Sequence, residues 1–149
     1  MNSIQVNTRV GLLSICENNG CIVSISKKSC ENTESNEVLE LCRIQLMDYF
    51  NKKRKNFDFP VSFHGTDFQN AVWKAMLEIK YGETVSYQQL AKMAGYPNAV
   101  RAVGTACGKN PLCIVVPCHR VIRSDGQMGN YAWGKEMKQY LLKLEMEES

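Results

Sequence analysis

No uninterrupted apolar run in this chain is long enough to span a bilayer. The first residues, MNSIQVNTRVG, lack the basic-then-apolar order of a signal peptide. No C-x-x-C pair occurs among the seven cysteines, and only two histidines, His64 and His119, are available as metal ligands. An odd, scattered set of cysteines argues against a secreted disulfide framework and against a zinc site, so thiols and no metal are expected. The chain is therefore read as intracellular, in the cytoplasm of a prokaryote or the nucleus of a eukaryote. What is present is ordinary globular usage, 44% hydrophobic and 22% charged over 149 residues. That length suits one domain preceded by a small accessory one. The net charge of +3 is too small to announce nucleic-acid binding. Its distribution says more, since Lys80, Lys92, Arg101, Lys109, Arg120 and Arg123 face only Glu83 and Asp125.

Residues 1–60 read as a small α/β domain. Val10 to Ser14 and Cys21 to Ser26 alternate apolar and polar residues around Asn18-Asn19-Gly20, a hairpin signal. Val38, Leu41, Cys42, Leu46 and Tyr49 then recur at helical spacing. The basic stretch Lys52 to Lys55 reads as a solvated helix end rather than a localisation signal. Phe59-Pro60 and the Ser62 to Gly65 stretch look like a linker. From residue 66 to 149 the pattern is mainly helical. Thr66 with Gln69 is a capping box, with Phe68, Val72, Ala75, Met76 and Ile79 as the apolar stripe behind it. A second box, Ser86 with Gln89, opens a short helix with Leu90, Ala91 and Met93 inward. Gly95-Tyr96-Pro97 breaks it, and Asn98 is placed as the cap of a third helix running to Gly108.

Two short helices around a glycine-containing turn fit a helix-turn-helix or an ordinary helical hairpin. The third helix favours the former. Ala99, Ala102, Gly104, Ala106 and Gly108 leave it almost without bulk, and Arg101 is its one large cation. A core helix needs Leu and Ile there; a helix that presses its backbone against another surface needs what is seen.

Leu112 to Val116 is a short β-branched run that reads as a buried strand, and Pro117 forces a turn after it. Cys118 thus sits where a buried segment ends, fixed yet open to a pocket. Either His119 or Arg120 could favour its thiolate, the nucleophilic form. Neighbouring side chains of an extended segment point apart, so a water or a sharp turn must link Cys118 to His119. The other six cysteines, Cys113 among them, read as small buried hydrophobes.

Pro117-Cys118-His119-Arg120-Val121-Ile122, with Asn110-Pro111 before it and Gly129-Asn130-Tyr131 after it, resembles the O6-alkylguanine-DNA alkyltransferases. So do Phe68-Gln69 with Val72-Trp73, Tyr81 to Thr84 with Ser86-Tyr87, Arg101-Ala102-Val103, and the run from Lys138 through Leu141-Leu142 to Glu145. The likeness covers about residues 66 to 145. It implies an α/β N-terminal subdomain plus a mainly α C-terminal domain carrying the helix-turn-helix and a short active-site strand. It further implies that Cys118 takes an alkyl group from O6-alkylguanine in one irreversible step, without a cofactor. His119 would activate Cys118 through a water, Glu145 would orient His119, and Asn110 would brace the turn. The partner implied is double-stranded DNA bound through the minor groove by a monomer. Arg101 would fill the gap left by a flipped nucleotide, beside Ala99, Ala102, Gly104, Thr105 and Arg120. Tyr87 would crowd the flipped nucleotide's phosphate and hydrogen-bond the guanine. The substrate pocket would comprise Val121, Tyr131, Ala132, Trp133 and Cys113. Cys113 and Trp133 depart from relatives that accept bulky groups, which have proline and a small residue there. Slow reaction with O6-benzylguanine follows from that departure.

Three other readings compete. Alkyltransferase-like proteins bind alkylguanine without transfer, but lack the reactive cysteine. A thiol hydrolase needs a base distant in sequence, for which only His64 remains. A plain helix-turn-helix regulator leaves Cys118, His119 and Glu145 unexplained.

Overall fold

The computed structural model describes residues 1–127, 129, 131 and 133–146. It divides into two compact units, Met1–His64 and Gly65–Ser149. The first is a three-stranded antiparallel meander, β1 (Asn2–Thr8), β2 (Gly11–Asn18) and β3 (Cys21–Ser26), with helix α1 (Glu37–Phe50) against it. The expected hairpin joins β2 to β3. Asn19 and Gly20 both take positive φ, 53° and 82°, the turn geometry that matches strand twist. Ile4 pairs with Ile15, Val6 with Leu13, and Ile15 with Ile25, which puts the apolar side chains on the face covered by α1. β1 gave little sequence signal because only Ile4 and Val6 are apolar along its seven residues. On α1 the buried stripe is Leu39, Cys42, Leu46 and Tyr49, whereas Leu41 is 40% exposed, so the inward face lies further round than the spacing predicts. The expected linker begins later than residue 60. Ile22 N–H donates to Pro60 O and Ser62 N–H to Ile22 O, tying that segment to β3.

The second unit opens with α2 (Asp67–Met76), whose Thr66–Gln69 capping box is complete. The Ser86–Gln89 box likewise starts α3 (Tyr87–Ala94), and Gly95, at φ 87°, ends it. The next helix, α4 (Val100–Gly108), begins one residue later than expected. Its N-cap is Ala99, with no side-chain bond, so Asn98 does not cap it. Met93, expected inward, is 43% exposed. Helices α2, α3 and α4 pack together, and the Trp73 indole N–H donates to Ala106 O at 2.9 Å. A two-residue parallel pair, β4 (Val85–Ser86) with β5 (Val121–Ile122), ties the start of α3 to the segment after Cys118. α5 (Lys135–Met146) buries Lys138, Leu141, Leu142, Leu144 and Glu145 on one face. The fold is thus an α/β N-terminal unit and a mainly α second unit built on a helix-turn-helix. Among the described residues no helix is long and apolar enough to cross a membrane.

Candidate active site

The segment before Cys118 is buried as expected but does not run as a strand. Val116 N–H donates to Leu112 O at 2.8 Å across a turn whose central residue, Ile114, takes a φ of 77°. A buried β-branched residue rarely adopts that conformation, and such strain costs about 1–3 kcal/mol unless its surroundings hold it. Asn110 holds it. Its amide donates to Val116 O at 2.7 Å and its side-chain oxygen accepts from Leu112 N–H at 2.9 Å. The chain then folds back through Cys118 N–H to Val116 O into a single 3₁₀ turn, Cys118–Arg120. Here is the sharp turn required between Cys118 and His119.

Cys118 is 4% exposed. A hydrogen bond from the Cys113 thiol holds its pKa below the usual thiol value, with help from the Asn110 amide and the Lys138 cation, against the opposing effect of burial. Cys113 is pushed in the other direction, chiefly by that same bond. Tyr87 is raised to about 12, first by burial and then by Cys107 and Cys118, so its hydroxyl keeps its proton.

His119 is fully buried, and its Nε2 lies 2.6 Å from Glu145 Oε2. Burial holds the imidazole below its ordinary pKa despite Glu145, so it is neutral at pH 7. An ionised carboxylate accepts only, which fixes the proton on Nε2 and leaves Nδ1 as a lone-pair acceptor. Nδ1 is buried and has no hydrogen-bond partner among the described residues. Arg120 completes the cluster. Its Nε donates to Glu145 Oε1 at 2.8 Å, one terminal nitrogen to Oε2 at 3.0 Å, and the other to Ile79 O at 2.7 Å. Glu145 is brought down to about 2 because these bonds outweigh its desolvation.

Arg120 is therefore misplaced as a DNA-binding residue. It is 6% exposed and its guanidinium is committed to internal acceptors. Arg123 lies at the surface in its stead. With Tyr87, Arg101, Gly104, Thr105 and Gly129 it lines a groove of about 540 Å³ beside α4. Ala102 is exposed on the same helix, and Ala99 is half-buried at its cap. Tyr87 packs so closely under this groove that a Cβ on Gly129 would lie 2.9 Å from its hydroxyl. Tyr131 and Trp133 meet edge to face at 6.3 Å. Val121 is buried, and its carbonyl accepts from Lys138 Nζ at 2.6 Å. Ala132 lies outside the described residues.

Lys138 was not singled out for a role by sequence reasoning. It is fully buried, which pushes its pKa down, and it lies 6.0 Å from the Tyr87 ring centre; in its charged form it favours the Cys118 thiolate. The available signal was helical spacing. Lys138 and Glu145 stand two turns apart on the stripe that carries Leu141 and Leu142, so both had to face inward.

Known proteins carry the same framework. A curated methylated-DNA–protein-cysteine methyltransferase of Methanosarcina barkeri is 52% identical over 101 residues, 68% of this chain and 64% of that protein. The inducible one of Bacillus subtilis is 50% identical over 112 residues, 75% of this chain and 63% of that protein. The match thus spans just under two thirds of the length of these relatives. The crystal structure of Mycobacterium tuberculosis OGT in complex with DNA superposes with a TM-score of 0.87 at 35% identity, covering 98% of this chain and 93% of that one. Residues 5–63 match the ribonuclease-like domain of 6-O-methylguanine DNA methyltransferase, and residues 67–147 match its DNA binding domain. On these matches the chain belongs to the 6-O-methylguanine DNA methyltransferase family.

Proposed function

We propose that this chain repairs DNA by moving the alkyl group of O6-alkylguanine onto Cys118, once per molecule. The observation that carries the reading is the neutral, buried His119, held through Nε2 by Glu145 with Nδ1 turned to accept. A water between Cys118 and Nδ1 passes the thiol proton to the imidazole. The imidazolium that forms is balanced by Glu145. The thiolate then attacks the alkyl carbon; a sulfur–carbon bond forms as the carbon–O6 bond breaks, and the electron pair leaves with guanine. The Tyr87 hydroxyl, still protonated, hydrogen-bonds the departing base and makes it a better leaving group. Among the described residues no group is placed to reverse the resulting thioether.

Access requires a flipped nucleotide. The groove beside α4 suits the DNA minor groove, since Gly104 and Ala102 keep that face thin, while Arg101 fills the vacated stack and Arg123 meets phosphate. Residues 66–149 carry the chemistry and the DNA contacts. The protein acts as a monomer, inside the cell where its DNA lies. Trp133, packed on Tyr131, narrows the alkyl side of the site. Free O6-benzylguanine should therefore inactivate the wild type more slowly than Trp133→Gly; equal rates would remove Trp133 from the pocket.

The direct test is intact mass after mixing with an oligonucleotide containing O6-methylguanine. One added methyl group, located on Cys118 and absent in Cys118→Ala, is expected. Turnover of excess substrate, or methylation of Cys118→Ala, would falsify the reading.

A further inference from the structure

Two half-buried thiols of the N-terminal unit, Cys16 and Cys30, take no part in the transfer chemistry. Along β2, Leu13 and Ile15 point into the core, so Ser14 and Cys16 point to the opposite face of the sheet. Cys16 stands directly across from Ser3 on β1 and from Ser24 on β3. After β3 the chain returns over this face as an irregular strap, residues 27–33, on its way to α1. Two hydroxyls fasten the strap. Ser14 Oγ donates to Lys28 O, and Ser3 Oγ donates to Glu31 O. At the sheet edge Ser3 N–H donates to Thr33 Oγ1 at 2.9 Å and Thr33 N–H to Ser3 O at 2.8 Å. Ser14 and Ser3 are diagonal neighbours in the sheet, about 7–8 Å apart, whereas the three peptide steps from Lys28 to Glu31 reach about 10 Å at most. Between its fastenings the strap therefore has little slack. Ser29 and Cys30 make the crossing, over a patch bounded by Ser3, Gln5, Ser14 and Cys16. The Cys16 thiol is pushed up by burial and then by the nearby Cys30 sulfur.

We propose that Cys16 and Cys30 form a reversible oxidation site, closed to a disulfide by hydrogen peroxide, that fastens the strap covalently to the sheet. One peroxide oxygen passes to the first sulfur, giving a sulfenic acid and one water. The second thiol attacks that sulfur; the sulfur–sulfur bond forms, the sulfur–oxygen bond breaks, and the hydroxyl leaves with the thiol proton as a second water. Two electrons thus go from the two thiols to the peroxide, and a dithiol reverses the step by exchange. The strap suits this chemistry because no helix or strand has to open for Cys30 to settle into the Cα separation of about 4.4–6.8 Å that a disulfide requires. Cys21, the third half-buried thiol of the unit, pairs with Asn18 at the hairpin end, away from both fastenings. Cys42 is buried on the helix against the other face. The inference does not rest on Cys118 being the nucleophile.

The experiment treats the full chain with hydrogen peroxide, blocks the remaining thiols with iodoacetamide in urea, and maps the peptides without reductant. One linked pair joining Cys16 to Cys30 is expected, lighter than the separate peptides by two hydrogens and released by dithiothreitol. It should be absent from Cys16→Ser and Cys30→Ser. The bridge closes a loop of about 15 residues in the unfolded chain, so the oxidised wild type should unfold about 10 °C above its reduced form. Cys30→Ser treated in the same way should show no such rise. Linkage of Cys16 or Cys30 to another cysteine as the main product overturns the assignment. So does a bridge that forms only in urea, or the recovery of both thiols alkylated after Cys118 has been oxidised. A Cys16–Cys30 bridge without any rise in unfolding temperature overturns the fastening of the strap. The wild-type peptide map decides by itself if either variant fails to fold.

Discussion

Glu145 concentrates more of this site's free energy than any other side chain described. It accepts from His119 and twice from Arg120, so a single carboxylate fixes the imidazole tautomer and neutralises a buried guanidinium. Its pKa falls from an ordinary 4.5 to about 2 on folding. A carboxylate depressed in the folded state contributes stability that is complete above the unfolded value and disappears as pH falls through the folded one. The contribution, on the order of 3 kcal/mol, should thus be intact above about pH 4.5 and lost toward pH 2. Urea unfolding across that range measures it. Glu145→Gln should flatten the dependence and lower stability at pH 7 by about 3–5 kcal/mol, because Arg120 is left buried without its anion. A Glu145→Gln protein that keeps the wild-type pH dependence would show that another group is responsible.

At the scale of elements, α4 is the one whose composition conflicts most with its setting. Two glycines within nine residues, Gly104 and Gly108, cost helix stability, and no side chain caps its start. A Cβ on Gly104 would lie 3.8 Å from the Tyr87 ring, an ordinary contact. Gly104→Ala should therefore fold well, up to about 1 kcal/mol more stable, while binding duplex DNA more weakly because the helix is thicker. Thermal unfolding beside a duplex titration separates the two effects; unchanged binding would remove α4 from the groove contact. The capping boxes of α2 and α3 were legible because each is a local exchange of hydrogen bonds between residues three apart. The 112–116 turn was not. Its β-branched run favours a strand, and only the bonds from Asn110 make the Ile114 conformation tolerable, a tertiary effect overriding propensity. Arg120 was misassigned for a related reason. A cation beside a nucleophile reads as exposed until its acceptors, Ile79 and Glu145, are known to lie 41 and 25 residues away.

Across the whole molecule, the adjacency of Cys118 and His119 was readable, whereas the charge balance around them was not, because Lys138 and Glu145 reach the site only when α5 docks. That balance belongs to the thiolate. Once Cys118 carries an alkyl group, its sulfur is neutral and bulkier in a position only 4% exposed. Lys138 and Asn110, which favour a thiolate, then face a sulfur that can no longer become one. Extra carbon in a packed interior costs about 1–3 kcal/mol by itself. On the proposed transfer the spent protein would thus be physically distinct from the unreacted one. It would carry the record of its own use as strain at its centre, and a quality-control protease that samples open states would meet the used copies first.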